Sequence, residues 1–298
     1  MAEKLQIKIN KSESPGRRRF RRLVRNPMAV IGFILVVTIV TACLAAPLLT
    51  DCDPNFIDMK LRYAEPSAEH PLGCDQSGRD IFARLLYGGR ISLRIGFISA
   101  ICANLLGIIL GCISGYFGGW VDAVLVYIRE IICCFPSTIL MLVLFGIVDQ
   151  MDWIESRVPI MIGVFIFTGW PGAFGWLRGR MMSLKKETFV ESLRANGVSS
   201  ASIMFRHLIP NALSVVIFTL AGSVSGYILS EAGLSFLGWG VEKGLPTWGN
   251  MLNAAQSEVV FKLHPTLWIY PGLCILFISL GFNFFGDGLR DAYDVTEG

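Results

Sequence analysis

Six stretches of this chain run for a helix length or more without Asp, Glu, Lys or Arg. Met28–Thr50 is uncharged over 23 positions, Ile95–Val121 over 27 and Ile131–Val148 over 18. Val158–Leu177 and Asn211–Ser230 each run for 20, and Leu263–Gly286 for 24 with His264 neutral. About 20 apolar residues cross a bilayer as a helix, and in hydrocarbon only helices and closed barrels satisfy every backbone group. The pattern predicts an all-α membrane protein with six transmembrane helices. Composition agrees: 53% of the 298 residues are hydrophobic and 16% charged, against about 25% charged in soluble domains. An ordinary soluble enzyme, a disordered chain and a nucleic-acid reader are excluded.

Charge placement sets the orientation. The first 26 residues hold nine Lys/Arg and two Glu, a net +7, with a dense run at Arg17-Arg18-Arg19-Phe20-Arg21-Arg22. Beside a hydrophobic helix such a cluster holds the N-terminus in the cytoplasm and contacts anionic lipid, rather than nucleic acid. The first run exceeds the 7–15 apolar residues of a signal peptide, so it reads as a retained helix. Six crossings then give an N-in/C-in chain, with 16 Lys/Arg inside and nine outside. Arg79, Arg84, Arg90 and Arg94 fall on the outer side, against the simple rule.

The expected organisation is a basic tail (1–26), a first helix (27–50), an outer segment (51–94), a five-helix core (95–290) and an inner C-terminal tail (291–298). Within the outer segment, Ile81, Leu85, Leu86 and Ile91 have helical spacing and predict an amphipathic lead-in to helix two. The inner loop 185–210 reads as helix, stop, helix. Gly197 is suited to a left-handed C′ position, Ser199 or Ser200 to an N-cap, and Pro210 to the start of helix five. Ile203, Met204 and Phe205 crowd onto a short helix with Arg206 and His207, an apolar surface that a partner's groove would cover.

These residues resemble the cytoplasmic loop of binding-protein-dependent ABC importer permeases, E-A-A-x3-G-x9-I-x-L-P, with Glu191, Gly197 and Pro210 in register. Ser192 and Leu193 replace the two alanines, His207 the isoleucine and Ile209 the leucine. The outer run HPLGCDQSGRDIFARLLYGGRISL, His70–Leu93, is similar to the corresponding run of dipeptide and oligopeptide permeases, with Cys74 for Thr and Ala83 for Ser. GYFGGWVD at Gly115–Asp122, LSFLGWG at Leu234–Gly240 and GDGLRD at Gly286–Asp291 extend the resemblance over nearly the whole chain past the tail. It is nearest the second permease subunit of such systems.

The resemblance implies a type I ABC importer permease fold in the inner membrane of a bacterium or archaeon. It implies a heterodimer with a second homologous permease, two cytoplasmic ATPase subunits that use ATP and Mg, and an extracytoplasmic peptide-binding protein. No catalytic, cofactor or metal residue is expected in this chain. The implied ATPase-coupling residues are Glu191, Ala195, Gly197, Ser199, Ser200, Ile203, Met204, Phe205, Arg206 and Pro210. A permease for nickel or another metal chelate shares most of these motifs and stands as the alternative.

Other candidates come from position alone. Arg129 and Glu130 lie in helix three, where charge is costly, as a gating pair or as side chains snorkelling to water. Pro136 is expected to kink that helix, and Glu231 to sit near the outer surface. These four are the candidates for the translocation path. Cys52 and Cys74 alone lie outside the spans, where a disulfide is possible; the other six cysteines read as small apolar groups. Trp239, Trp248 and Trp268 are expected near a membrane boundary. No G-x-x-x-x-G-K-[ST] phosphate loop occurs, so energy must come from another chain or a gradient. A membrane-embedded enzyme is disfavoured by three scattered histidines and no H-E-x-x-H or G-x-S-x-G. A gradient-driven transporter or channel is disfavoured by the lack of acids in mid-helix.

Overall fold

The computed structural model describes residues 15–150, 156–242 and 244–293. Residues 1–14 of the basic tail, 151–155 of an expected outer loop and 294–298 of the expected C-terminal tail lie outside the described residues. The regular elements are helices, with one isolated antiparallel bridge between Cys74 and Asp80. α1 covers Pro15–Arg25, α2 Pro27–Leu44, α3 Ala46–Leu49, α4 Ile81–Phe117, α5 Gly119–Cys133, α6 Ser137–Asp149 and α7 Arg157–Leu184. α8 covers Thr188–Ala195, α9 Ser200–Ser202, α10 Ile209–Phe236, α11 Trp248–Leu252, α12 Glu258–Leu263 and α13 Thr266–Tyr293.

α2, α4, α7 and α13 are each long and apolar enough to cross a membrane, and α5 with α6 makes a fifth if the bent pair is one span. Local chemistry sets the starts. Asn26 Oδ1 accepts from the backbone of Met28 and Ala29, with Pro27 at the first helical position. Asp80 Oδ1 accepts from Ala83 N at 2.6 Å and opens α4, and Ser156 Oγ accepts from Val158 N and opens α7. Such side-chain caps satisfy amide donors that have no intrahelical partner.

Three expectations change. The lead-in and helix two are one unbroken helix of 37 residues, with Ile81, Leu85 and Leu86 buried, because nothing between Arg90 and Ile95 breaks the backbone. The third uncharged run is not a single kinked helix. α5 and α6 meet at 91° across residues 134–136, since Pro136 lacks an amide donor and biases Phe135 away from helical geometry. Finally, helix five does not begin afresh at Pro210. Helical structure is continuous from Ser200, with a π-turn at Ile203–Leu208 ahead of the proline. There Ile209 N reaches back five residues to Met204 O, the widened turn that lets a helix pass a proline.

The main seam of the bundle joins α4 to α7. Gly107, Gly111 and Gly115 recur every fourth residue of α4, so they share one face. An added Cβ on them would lie only 2.5–2.7 Å from the carbonyl oxygens of Trp170, Phe174 and Arg178 on α7. Small residues at this spacing let membrane helices approach backbone to backbone. Gly32 on α2 and Gly281 on α13 make a similar close approach, at 2.6 Å. Asn26 Nδ2 donates to Asp291 Oδ2 at 3.2 Å, and the Arg19 guanidinium lies 4.5 Å over the Tyr293 ring. The start of α2 and the end of α13 therefore lie at one end of the bundle.

Candidate functional site

The loop between α7 and α10 is a compact, pinned unit. Gly197 has φ +74. Val198 N donates to Leu193 O and Gly197 N to Arg194 O, each at 3.0 Å. This is the paired bonding of a Schellman motif, which satisfies the last carbonyls of α8 and turns the chain sharply. Ser199 Oγ accepts from Ser202 N at 3.3 Å and caps the next turn. Ile203, Met204 and Leu208 are buried with Val190, Leu177, Met181 and Cys112 in a second small core below the main bundle. That core divides the loop into two faces. Glu191, Ala195, Ser199, Ser200, Phe205 and Arg206 all stay exposed, and Phe205 is 65% exposed. Glu191 makes no ion pair among the described residues. His207 is half-buried.

The loop rests on the turn between α4 and α5. Lys185 Nζ donates to Tyr116 O at 3.0 Å, and the Arg194 guanidinium sits 5.6 Å over the Tyr116 ring. Nearby, Arg178 of α7 grips Asp122 of α5 through Nε and Nη2, and Ser114 Oγ donates to the same carboxylate. The loop is thus tied to the ends of α4, α5 and α7. Gly118 and Gly119, at φ +69 and +59, make the turn tight enough for this.

Of the four translocation-path candidates, none forms the pairing expected of a gate. Arg129 Nε donates to Pro171 O on α7 at 3.3 Å, while the adjacent Glu130 is exposed. Pro136 caps α6 at the 91° break. Glu231 is fully buried. Ser92, Ser235 and Thr247 hydroxyls donate to its carboxylate at 3.1, 2.9 and 2.8 Å, and the Gly249 amide adds a backbone donor. Trp248 is likewise core rather than interfacial, its indole donating to Leu85 O at 2.9 Å. The Ser92 and Thr247 hydroxyls that serve Glu231 also accept from the Trp248 and Asn250 amides. An uncharged run measures hydropathy but not which face looks inward, so burial of this lone acid was not legible.

At the same end, His70 Nδ1 lies 2.8 Å from Asp80 Oδ2, tying the outer segment to the first turn of α4. Cys52 comes close enough that Cys52, His70 and Asp80 hold ligand atoms within 4.8 Å of one another. Residues 18 and 10 apart in sequence gave no metal pattern, so this grouping was missed. Both oxygens of Asp80 are already engaged, one by His70 and one as the helix cap, which fits a structural fastening. Cys52 and Cys74 are free thiols. Burial, then the neighbouring Asp80 and Asp75 carboxylates, push the Cys74 thiol up to about 11, so it is protonated at neutral pH.

Among the described residues, an all-helical bundle with several membrane-length helices, carrying a pinned and partly exposed helical loop beside the helix ends, defines a multi-pass membrane protein. The comparisons with known proteins make this specific. Residues 107–295 match the model of the binding-protein-dependent transport system inner membrane component, and residues 14–66 that of the N-terminal TM domain of oligopeptide transport permease C. The chain is 36% identical to a putative peptide permease protein of Brucella ovis, over 96% of this chain and 93% of that one. It is 36% identical to the dipeptide transport system permease protein DppC of Alkalihalophilus pseudofirmus, over 94% and 90%. The oligopeptide transport system permease protein OppC of Bacillus subtilis is 33% identical, over 93% and 87%. The chain belongs to the family of binding-protein-dependent transport system inner membrane components. It is a permease subunit of an importer of that kind.

Proposed function

We propose that this subunit forms half of the membrane path for imported di- or oligopeptides and is driven through its 191–210 loop by separate ATPase subunits. Relatives named for dipeptide, oligopeptide and glutathione transport support the peptide substrate. Six crossings with both termini inside are supported by the basic α1 and by the contact between Asn26 and Asp291, which calls for an even number of passes. α10, with Glu231 as its one charged residue over 28 positions, supplies the sixth. A second, homologous permease completes the path, and an external binding protein delivers the peptide. The chain has no phosphate loop, so ATP and Mg are used by the partner ATPases.

The observation that carries the coupling role is the division of the loop. Ile203, Met204 and Leu208 anchor it inward, while Phe205, Arg206 and Glu191 face away with no internal partner for Phe205 or Glu191. An exposed aromatic on a rigid helical turn between charges suits insertion into a groove of another protein. Glu191→Lys in the assembled transporter is expected to abolish peptide uptake while membrane insertion is retained. Phe205→Cys is expected to cross-link to a cysteine in the ATPase groove. Uptake at the unaltered rate in Glu191→Lys, with no cross-link from position 205, overturns the reading.

A further inference from the structure

At the end of the bundle opposite the coupling loop, the stretch from Asp75 to Arg84, the first residue of α7 and the segment 235–256 enclose a cavity of 560 Å³. That size is typical of small-molecule sites. Three arginines line it, with Asp75 the one carboxylate in the lining; Glu242, just outside it, accepts from the Arg157 amide through Oε1 at 2.6 Å, and its Oε2 is buried without a partner among the described residues. Arg157 is neutralised outside the cavity by Asp149, through bonds of 2.8 and 2.6 Å. Arg79 and Arg84 share a single carboxylate, Asp75. Arg79 Nε donates to Asp75 Oδ2 at 2.8 Å, and Arg84 Nε stands 3.8 Å from the same oxygen. The other Asp75 oxygen accepts from the Ser77 and Arg79 amides. Asp75 has little left to offer Arg84.

Arg84 is the anomaly. Its side chain is only 4% exposed, and its one short hydrogen bond among the described residues runs from Nη1 to Pro54 O at 2.9 Å. A guanidinium carries five donors in a planar fork that matches a carboxylate. Burying one that is under-paired is costly, and a helix of 37 residues had many cheaper choices at this position. Around it the cavity offers both wall types that a short peptide requires. Ile81, Val241 and Leu267 are apolar. Asn253 spends its amide hydrogens on the Ser235 and Phe236 carbonyls, which leaves its Oδ1 as an acceptor.

We propose that this cavity binds the C-terminal carboxylate of a short peptide at the outer mouth of the path, with Arg84 as the principal cation and Arg79 beside it. The inference rests on the peptide reading above and adds to it a binding site within the permease itself. It also accounts for the arginines placed against the charge rule: two of the four serve the cavity rather than topology.

The test is equilibrium binding of radiolabelled tri-alanine, and of its C-terminal amide, to the solubilised complex of both permeases and ATPases with the binding protein left out. The free acid is expected to bind at least tenfold more tightly than the amide. Arg84→Gln is expected to erase that difference. Gln76→Glu, which adds a negative charge at the exposed rim without touching the core, is expected to weaken the acid several-fold and leave the amide unchanged. Equal binding of acid and amide, or no binding of either, overturns the proposal, as does a Gln76→Glu complex that treats both ligands as the unaltered one does. If neither ligand binds but Gln76→Glu weakens docking of the binding protein, the cation serves a carboxylate of that protein, and the proposal again falls. Uptake of tri-alanine by the complete transporter is measured in parallel. Uptake without direct binding refutes this site alone, whereas no uptake refutes the peptide reading and this inference with it.

Discussion

Arg178, in the last turns of α7, holds Asp122, in the first turn of α5, with two parallel hydrogen bonds from Nε and Nη2, the second 2.7 Å long. The two residues are 56 apart in sequence, and the pair closes the bundle beside the loop between α7 and α10. Ser114 Oγ adds a third donor to the same carboxylate. Lys185 and Arg194 of the loop touch Tyr116 at the end of α4, a few residues from this pair.

Asp122→Asn should weaken this closure. The side chains are 31% and 19% exposed, so solvent screens part of the attraction. The expected loss is about 1–2 kcal/mol, between the values for exposed and buried pairs. It is read as a lower melting temperature of the purified transporter, and the exchange of Asp122→Arg with Arg178→Asp should recover part of it. Unchanged melting in Asp122→Asn would remove the pair from the account of stability.

Gly111→Ala tests the seam between α4 and α7. Its new Cβ would meet Phe174 O at 2.7 Å, a backbone atom that cannot swing aside. Overpacking of this kind costs about 1–3 kcal/mol. Gly172→Ala, on the exposed side of α7 with open space around its Cβ, should be neutral or mildly stabilising because alanine is the better helix former. Equal melting temperatures for the two variants would contradict the close approach.

The comparison of these two glycines shows what sequence could and could not reveal. Uncharged runs located the apolar helices, because hydropathy and length are local properties. Gly197 and Ser199 disclosed a turn and a cap for the same reason: each acts on amides within a few residues of itself. Gly107, Gly111 and Gly115 stood in plain view at a spacing of four, yet only the partner carbonyls on α7 distinguish them from Gly172. Arg84 and Glu231 escaped because their meaning lies in partners 30 or 139 residues away. The break at Pro136 was legible as a proline but not as 91°, since neighbouring helices decide how far a freed chain turns.

Glu231→Gln should destabilise the outer end of the bundle although its shape is nearly conserved. Glu231 only accepts, and the Ser92, Ser235 and Thr247 hydroxyls each spend their one hydrogen on it. A glutamine turns one oxygen into a donor, so a buried hydroxyl on that side must turn to accept from it and loses the acceptor for its own hydrogen. An unsatisfied buried group costs about 1–3 kcal/mol. Glu231→Leu strands all three hydroxyls and the Gly249 amide and should be the worse variant. Both are measured by thermal unfolding of the complex, and a leucine variant as stable as the glutamine variant would refute the network.

Gly197 separates backbone conformation from space as the reason for a residue. At φ +74 it lies in the left-handed region, and nothing lies within 4 Å of an added Cβ. A side chain there meets no neighbour, so any cost must come from the backbone itself. That cost is about 1–2 kcal/mol for an ordinary L-residue, and more for a β-branched one. Asn is the exception that tolerates the region. Gly197→Val should therefore unwind the Schellman turn, displace Ser199 from its cap and lower peptide uptake, since each 1.4 kcal/mol is about a factor of ten in the ratio of folded to unfolded loop. Gly197→Ala should fall between, and Gly197→Asn should keep most activity. Uptake measured at equal membrane abundance ranks the three. If Asn fails as badly as Val, the position is needed for close approach by the ATPase rather than for its dihedral angle, and the partner surface must come within a methyl's width of this turn.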